Sequence, residues 1–166
     1  VAQIVMSTYE AMISNRNWPH TARVINLTPS ADSLLPTYMR IEEDVKEFIS
    51  IFYDKHQLGD ARLRYQEVFW KEPDDFLRYT NNRDSTATNI NIITDVSGVK
   101  FLVQNNKAPS YYTSFDDTTL VFDSYDNTVD STLQATKTQA RAYVMPEFRL
   151  EDDFIPDLPQ EAFSAL

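Results

Sequence analysis

Carboxylates are the groups of this chain best placed to do chemistry. One cluster runs Asp116-Asp117, Asp123, Asp126 and Asp130. Its composition suits a hard cation, which collects oxygen ligands at tight spacing around a glycine turn. The glycine is missing, because Gly59 and Gly98 both lie upstream. Asp116-Asp117 and Asp126-Asn127 are explained more simply as turn residues, whose side chains bond their own backbone. A metal hydrolase built on Asp116, Asp117 and Asp123 is therefore the most distant reading. A second cluster, Glu147, Glu151-Asp152-Asp153 and Asp157, has nuclease-like carboxylates but no basic or histidine companion nearby. A solvated acidic loop accounts for it. His20 and His56 sit in different segments, without the i,i+4 partner of a zinc helix or the serine and aspartate of a triad. They read as surface residues near helix ends. No catalytic residue, metal ligand or cofactor is expected, and no enzymatic activity.

The aromatics admit two uses. Tyr111, Tyr112, Phe115, Phe122 and Tyr125 could stack sugars or bases. Strands also use alternating aromatics to fill a half-buried face, and only Lys107 supplies positive charge close by. Single-stranded nucleic acid is disfavoured on that ground. A carbohydrate or peptide module using this face remains a competing reading. Trp18 and Trp70 are expected to bury where helices meet sheet.

Composition removes further classes. The chain has 166 residues, 15 Lys+Arg against 25 Asp+Glu and a formal net charge of −10. Such a surface repels duplex DNA rather than gripping it. With no Cys there is no disulfide scaffold and no thiolate site. Two glycines cannot build a phosphate-cradling loop. No stretch approaches the roughly 18 apolar residues of a membrane span, and residues 1–6 lack the flanks of a signal peptide.

Elements follow from periodicity. Val5, Tyr9, Met12 and Ile13 mark one face of a helix ending near Ser14. Residues 23–27 read as a short strand. Tyr38, Ile41, Val45, Phe48, Ile49 and Phe52 form a stripe at steps of three and four, which predicts a second helix from Asp32 or Ser33 to about Lys55–Gly59. Glu42, Glu43 and Asp44 would then sit in its dipole-favoured first half. From residue 60 the period becomes two, with Leu63, Tyr65, Glu67 and Phe69 alternating with Arg62, Arg64, Gln66 and Val68. Pro73-Asp74-Asp75 breaks that strand, and 81–86 reads as an exposed loop. The polar stretch 80–89 is a candidate contact surface. Hairpins are expected across Asp95–Gly98 and Asp116-Asp117, and another strand over 138–145. The fold class is α+β: N-terminal helices packed on an antiparallel sheet. Residues 1–59 form the helical part, 60–150 the β part, and 151–166 an acidic loop opening a C-terminal helix. Apolar residues at helical spacing up to Leu166 predict that this helix continues beyond the sequence given.

Three runs carry a resemblance. Trp70-Lys71-Glu72-Pro73-Asp74-Asp75-Phe76-Leu77-Arg78 resembles a junction in adaptor proteins of tailed bacteriophages. Ala108 to Asp117 with Leu120 to Asp126, and Asp152-Asp153-Phe154-Ile155-Pro156-Asp157-Leu158-Pro159, are similar to blocks of phage connector proteins. Over residues 62–166 the chain resembles the head-to-tail adaptor of short-tailed phages, also called tail tubular protein A. The N-terminal third agrees only in its helix-first layout. The resemblance implies a structural virion protein at the head-tail junction, made in the host bacterial cytoplasm. It implies a dodecameric ring beneath the portal protein, extending the DNA channel toward tail or nozzle proteins, without catalytic residues. A stopper or nozzle of the same virion is the neighbouring alternative. DNA would pass without specific binding, and no membrane is involved. The net charge of −10 assigns Glu42, Glu43, Asp44, Asp152 and Asp153 as channel-lining candidates.

Overall fold

A computed structural model describes residues 2–149, 151, 153, 155, 156 and 158. It is a mixed α/β fold with two α-helices and a large curled sheet. Helix α1 spans Ala2–Ser14 and ends where its stripe ends. Strands β1 (Ala22–Ile25), β2 (Thr28–Pro29), β3 (Tyr38–Arg40) and β4 (Val45–Asp54) follow. Then come β5 (Tyr65–Trp70), α2 (Pro73–Asn81), β6 (Ile90–Thr94), β7 (Lys100–Gln104), β8 (Tyr111–Thr113), β9 (Thr119–Phe122) and β10 (Thr138–Val144). Eight strands join in the order β1-β10-β4-β5-β8-β9-β3-β2, while β6 and β7 form a separate ribbon. Among the named strands the pairings are antiparallel except β5 with β8. Among the described residues no helix is long and apolar enough to cross a membrane.

The predicted second helix does not exist; its stripe is strand β4 with part of β3. The reason lies in the register against β10. Arg141 pairs with Ser50 but Ala142 with Phe48, and Tyr143 pairs with Glu47 but Val144 with Val45. Ile49 and Lys46 are thus the extra residues of two bulges. Each bulge turns the inward step of two into a step of three, so Ile51, Phe48 and Val45 mimic helical spacing. The residue types point the other way, since Val, Ile, Phe and Tyr fit a pleated, half-buried surface. Pro36 leads into Thr37 and β3. The described residues of 1–59 accordingly contain one α-helix, a 3-10 turn over Pro19–Thr21 and four strands, and they contribute half of the large sheet. The expected C-terminal helix lies outside the described residues.

The main core is enclosed by the curl rather than by the N-terminal helix. Strand β10 shows the cleanest alternation, with Thr138, Ala140 and Ala142 inward and Gln139 and Arg141 outward. Helix α2, which the proline had suggested only as a break, closes the core. Pro73 takes its first turn, where no donor is lost, and Asp74 and Asp75 favour the dipole there. Phe76 of α2, Phe101 of β7 and Phe115 meet edge to face, with centroids 6.0–6.1 Å apart. Helix α1 packs elsewhere: Tyr9 and Ile13 bury against Leu158, with Met12, Trp18, Met145 and Phe148 around them. Lys46 Nζ binds the carbonyls of Ile13 and Arg16 at 2.9 and 3.0 Å and ties the helix end to β4. In β5 the wet and dry faces are reversed from expectation. Val68 is buried while Phe69 and Trp70 are exposed, so only Trp18 takes the packed position expected of both tryptophans.

Candidate functional site

A surface cleft arises from a branching of the sheet. Strand β4 pairs with β5 only over Ile51–Asp54. Its first half, Val45–Ser50, pairs with β10 alone, while Phe69 and Trp70 of β5 pair with Tyr111 and Tyr112 of β8. The two strands therefore separate like an opening fork. The gap is a groove of about 670 Å³ with Phe48, Val68, Leu120 and Tyr112 among its apolar walls. Phe69 and Trp70, 54% and 46% exposed, stand at its mouth. Glu47, Glu67 and Asp117 give it an acidic rim. The remaining lining charge, Lys46, is held on the α1 carbonyls. Exposed apolar surface with a polar rim is what recognition sites look like on soluble proteins.

A smaller depression of about 430 Å³ adjoins the groove through Ile41, Val45 and Asp117. Glu42 and Glu43 line it. Glu42, Glu43 and Asp44 form the exposed turn between β3 and β4, not the start of a helix. Glu42 accepts the Thr28 hydroxyl at 2.7 Å, and the Asp44 carbonyl accepts Met145 N–H at 2.7 Å. The three carboxylates are thus brought together on one turn. Asp153 is exposed, and Asp152 lies outside the described residues.

The aspartate cluster disperses. Asp116 Oδ1 accepts Thr118 and Thr119 N–H and the Thr119 hydroxyl, at 2.9–3.0 Å. Partial burial pushes its carboxyl up, but these hydrogen bonds outweigh that and hold it below the usual range. Asp117 takes φ 59° in the same turn, and Asp126 Oδ1 caps Thr128. Both aspartate turns are as the sequence predicts. Among the described residues no three His, Cys, Asp or Glu side chains gather in a way that could hold a metal ion. His56 N–H donates to Asp54, and its Nδ1 lies 3.1 Å from the Arg62 carbonyl. The His20 ring lies 6.1 Å from that of Trp18, tilted by 53°.

Asp123 has a role that spacing could not reveal. It is fully buried, and its Oδ2 meets Arg83 Nη2 at 2.7 Å. Its Oδ1 accepts Ser110 and Tyr111 N–H at 2.8 and 2.9 Å. Arg83 Nη1 also reaches the carbonyls of Leu102 and Asp123. One ion pair thus joins the segment after α2 to β7, β8 and β9. Arg83, read as part of an exposed loop, is a half-buried clamp on the buried Asp123. Above it, Tyr79 and Tyr111 meet edge to face at 5.1 Å, with Lys71 Nζ 4.3 Å from the Tyr111 ring and Arg83 5.0 Å from the Tyr79 ring. The supposed stacking platform is mostly interior: Tyr112, Phe122 and Tyr125 are buried and only Tyr111 and Phe115 are partly open.

No family model matches the chain, and no curated protein matches it.

Proposed function

We propose that this chain is a structural subunit of a phage head-to-tail junction, an adaptor that assembles into a ring below the portal. The observation that carries the reading is where the resembling runs meet. Residues 70–78 and 108–126 are far apart in sequence, yet they form one unit: β5 runs into α2, β8 pairs with β5 and β9, and Asp123 fastens all of them through Ser110, Tyr111 and Arg83. Such a rigid unit suits a building block whose work is to hold neighbours in place. The acidic turn of Glu42, Glu43 and Asp44 supports the same reading, because DNA slides past a wall that repels phosphate. A closed ring requires a heterologous interface repeated by rotation.

Native mass measurement and micrographs of the chain mixed with portal particles test the proposal. A closed oligomer that joins the portal is expected. A chain that stays monomeric and ignores portal particles overturns it.

A further inference from the structure

We propose that the groove between β4 and β5 is the acceptor of a subunit contact, filled by the β4–β5 loop of a second copy of this chain. This deepens the ring reading above and rests on it. The loop, residues 55–64, leaves Leu58 99% exposed and Leu63 67% exposed. Its charges are Lys55, Arg62 and Arg64 against Asp60, so it is basic within an acidic protein. Arg62 and Arg64 flank Leu63, an apolar residue between two cations. The groove offers the complement, an apolar floor between Glu47, Glu67 and Asp117. The Arg64–Asp60 contact is 3.7 Å long and solvent-exposed, too weak to hold the arginine back.

Within one molecule no residue of the loop lines the groove. The loop follows Asp54 while the groove lining on β4 ends at Ser50, so about 13 Å of strand lies between them on β4. A loop at one end and a matching groove at the other make a head-to-tail contact, the kind that closes into a ring when the rotation allows. The Val45–Ser50 edge, paired on its β10 side only, also leaves backbone groups for an extended segment to bond. Leu63 seats in the floor beside Phe48 and Val68, and the two arginines meet the rim.

The native chain has no cysteine, so paired substitutions report directly. Leu63→Cys with Ile49→Cys should give a ladder of disulfide-linked oligomers under mild oxidation, absent from either single variant. Leu63→Glu should raise the assembly concentration about 30-fold or more, as loss of a central apolar anchor does. Arg62→Glu with Arg64→Glu should weaken assembly, and Glu47→Arg with Glu67→Arg should restore it. A ring that forms with Leu63→Glu unaffected and without the ladder overturns the contact and leaves the adaptor reading standing. A ladder of open oligomers that never close supports the contact and removes the ring. Cross-links from Ile49→Cys that trap only a portal or tail protein give the groove to another partner and overturn the proposal.

Discussion

Asp123 and Arg83 are worth more as a satisfied network than as a pair. A buried charge left alone is costly, whereas a paired one with all its hydrogen bonds is tolerated. Arg83→Leu should therefore cost about 3–5 kcal/mol, read from the shift in a guanidinium unfolding curve. Asp123→Leu also strips the acceptor from Ser110 and Tyr111 N–H. It should unfold at lower denaturant than Asp123→Asn, by about 1–3 kcal/mol; equal midpoints would contradict the assigned role of Oδ1. The buried tyrosines set the alkaline limit. Desolvation pushes Tyr53 up to about 12 and holds Tyr38 and Tyr112 above the ordinary 10.0. Their folded values are raised, so the neutral phenol is favoured by folding. That contribution is complete below pH 10 and drains away as pH rises through the folded values. Tyrosinate absorbance and loss of near-ultraviolet circular dichroism should therefore rise together above pH 10. Full ionisation near pH 10 with the fold intact would refute this.

Among the elements, α2 and α1 have unequal weight. Phe76 lies at the meeting point of three aromatic rings and is fully buried. Phe76→Ala should cost about 3–5 kcal/mol in thermal or chemical unfolding. Ile4, exposed on α1, should tolerate alanine within about 0.5 kcal/mol. A large effect at Ile4 would mean that α1 carries more of the fold than its separate small core implies. The β6–β7 hairpin behaves as its sequence reads. Asp95 accepts Ser97 N–H at 2.7 Å, and Gly98 adopts φ 86°, a conformation that only glycine enters without strain.

The whole molecule carries a formal net charge of −10. Glu42, Glu43 and Asp44 share one exposed turn beside the groove. In an assembled ring of the kind proposed, replacing all three by Lys should create an affinity for duplex DNA that falls steeply with added salt, while the native ring shows none. Fluorescence anisotropy of labelled duplex across a salt series measures it. Unchanged DNA binding by an assembled variant ring removes these residues from the channel wall.

Local patterns determined a good deal by themselves: α1 and its end, both hairpin turns, the strand over 138–144, and the aspartates of the turns. In each case the signal and the structure involve neighbours a few residues apart. Other features were settled only by tertiary contact. The bulges of β4 exist because β10 imposes a register on it, and their phase shift disguised a strand as a helix. Which face of β5 is dry depended on its neighbours, so Val68 went in and Phe69 came out. Asp123 found Arg83 forty positions away, beyond the reach of any spacing rule. The groove itself has no sequence signature, because it is made by two strands parting, and only the pairing partners on either side decide where they part.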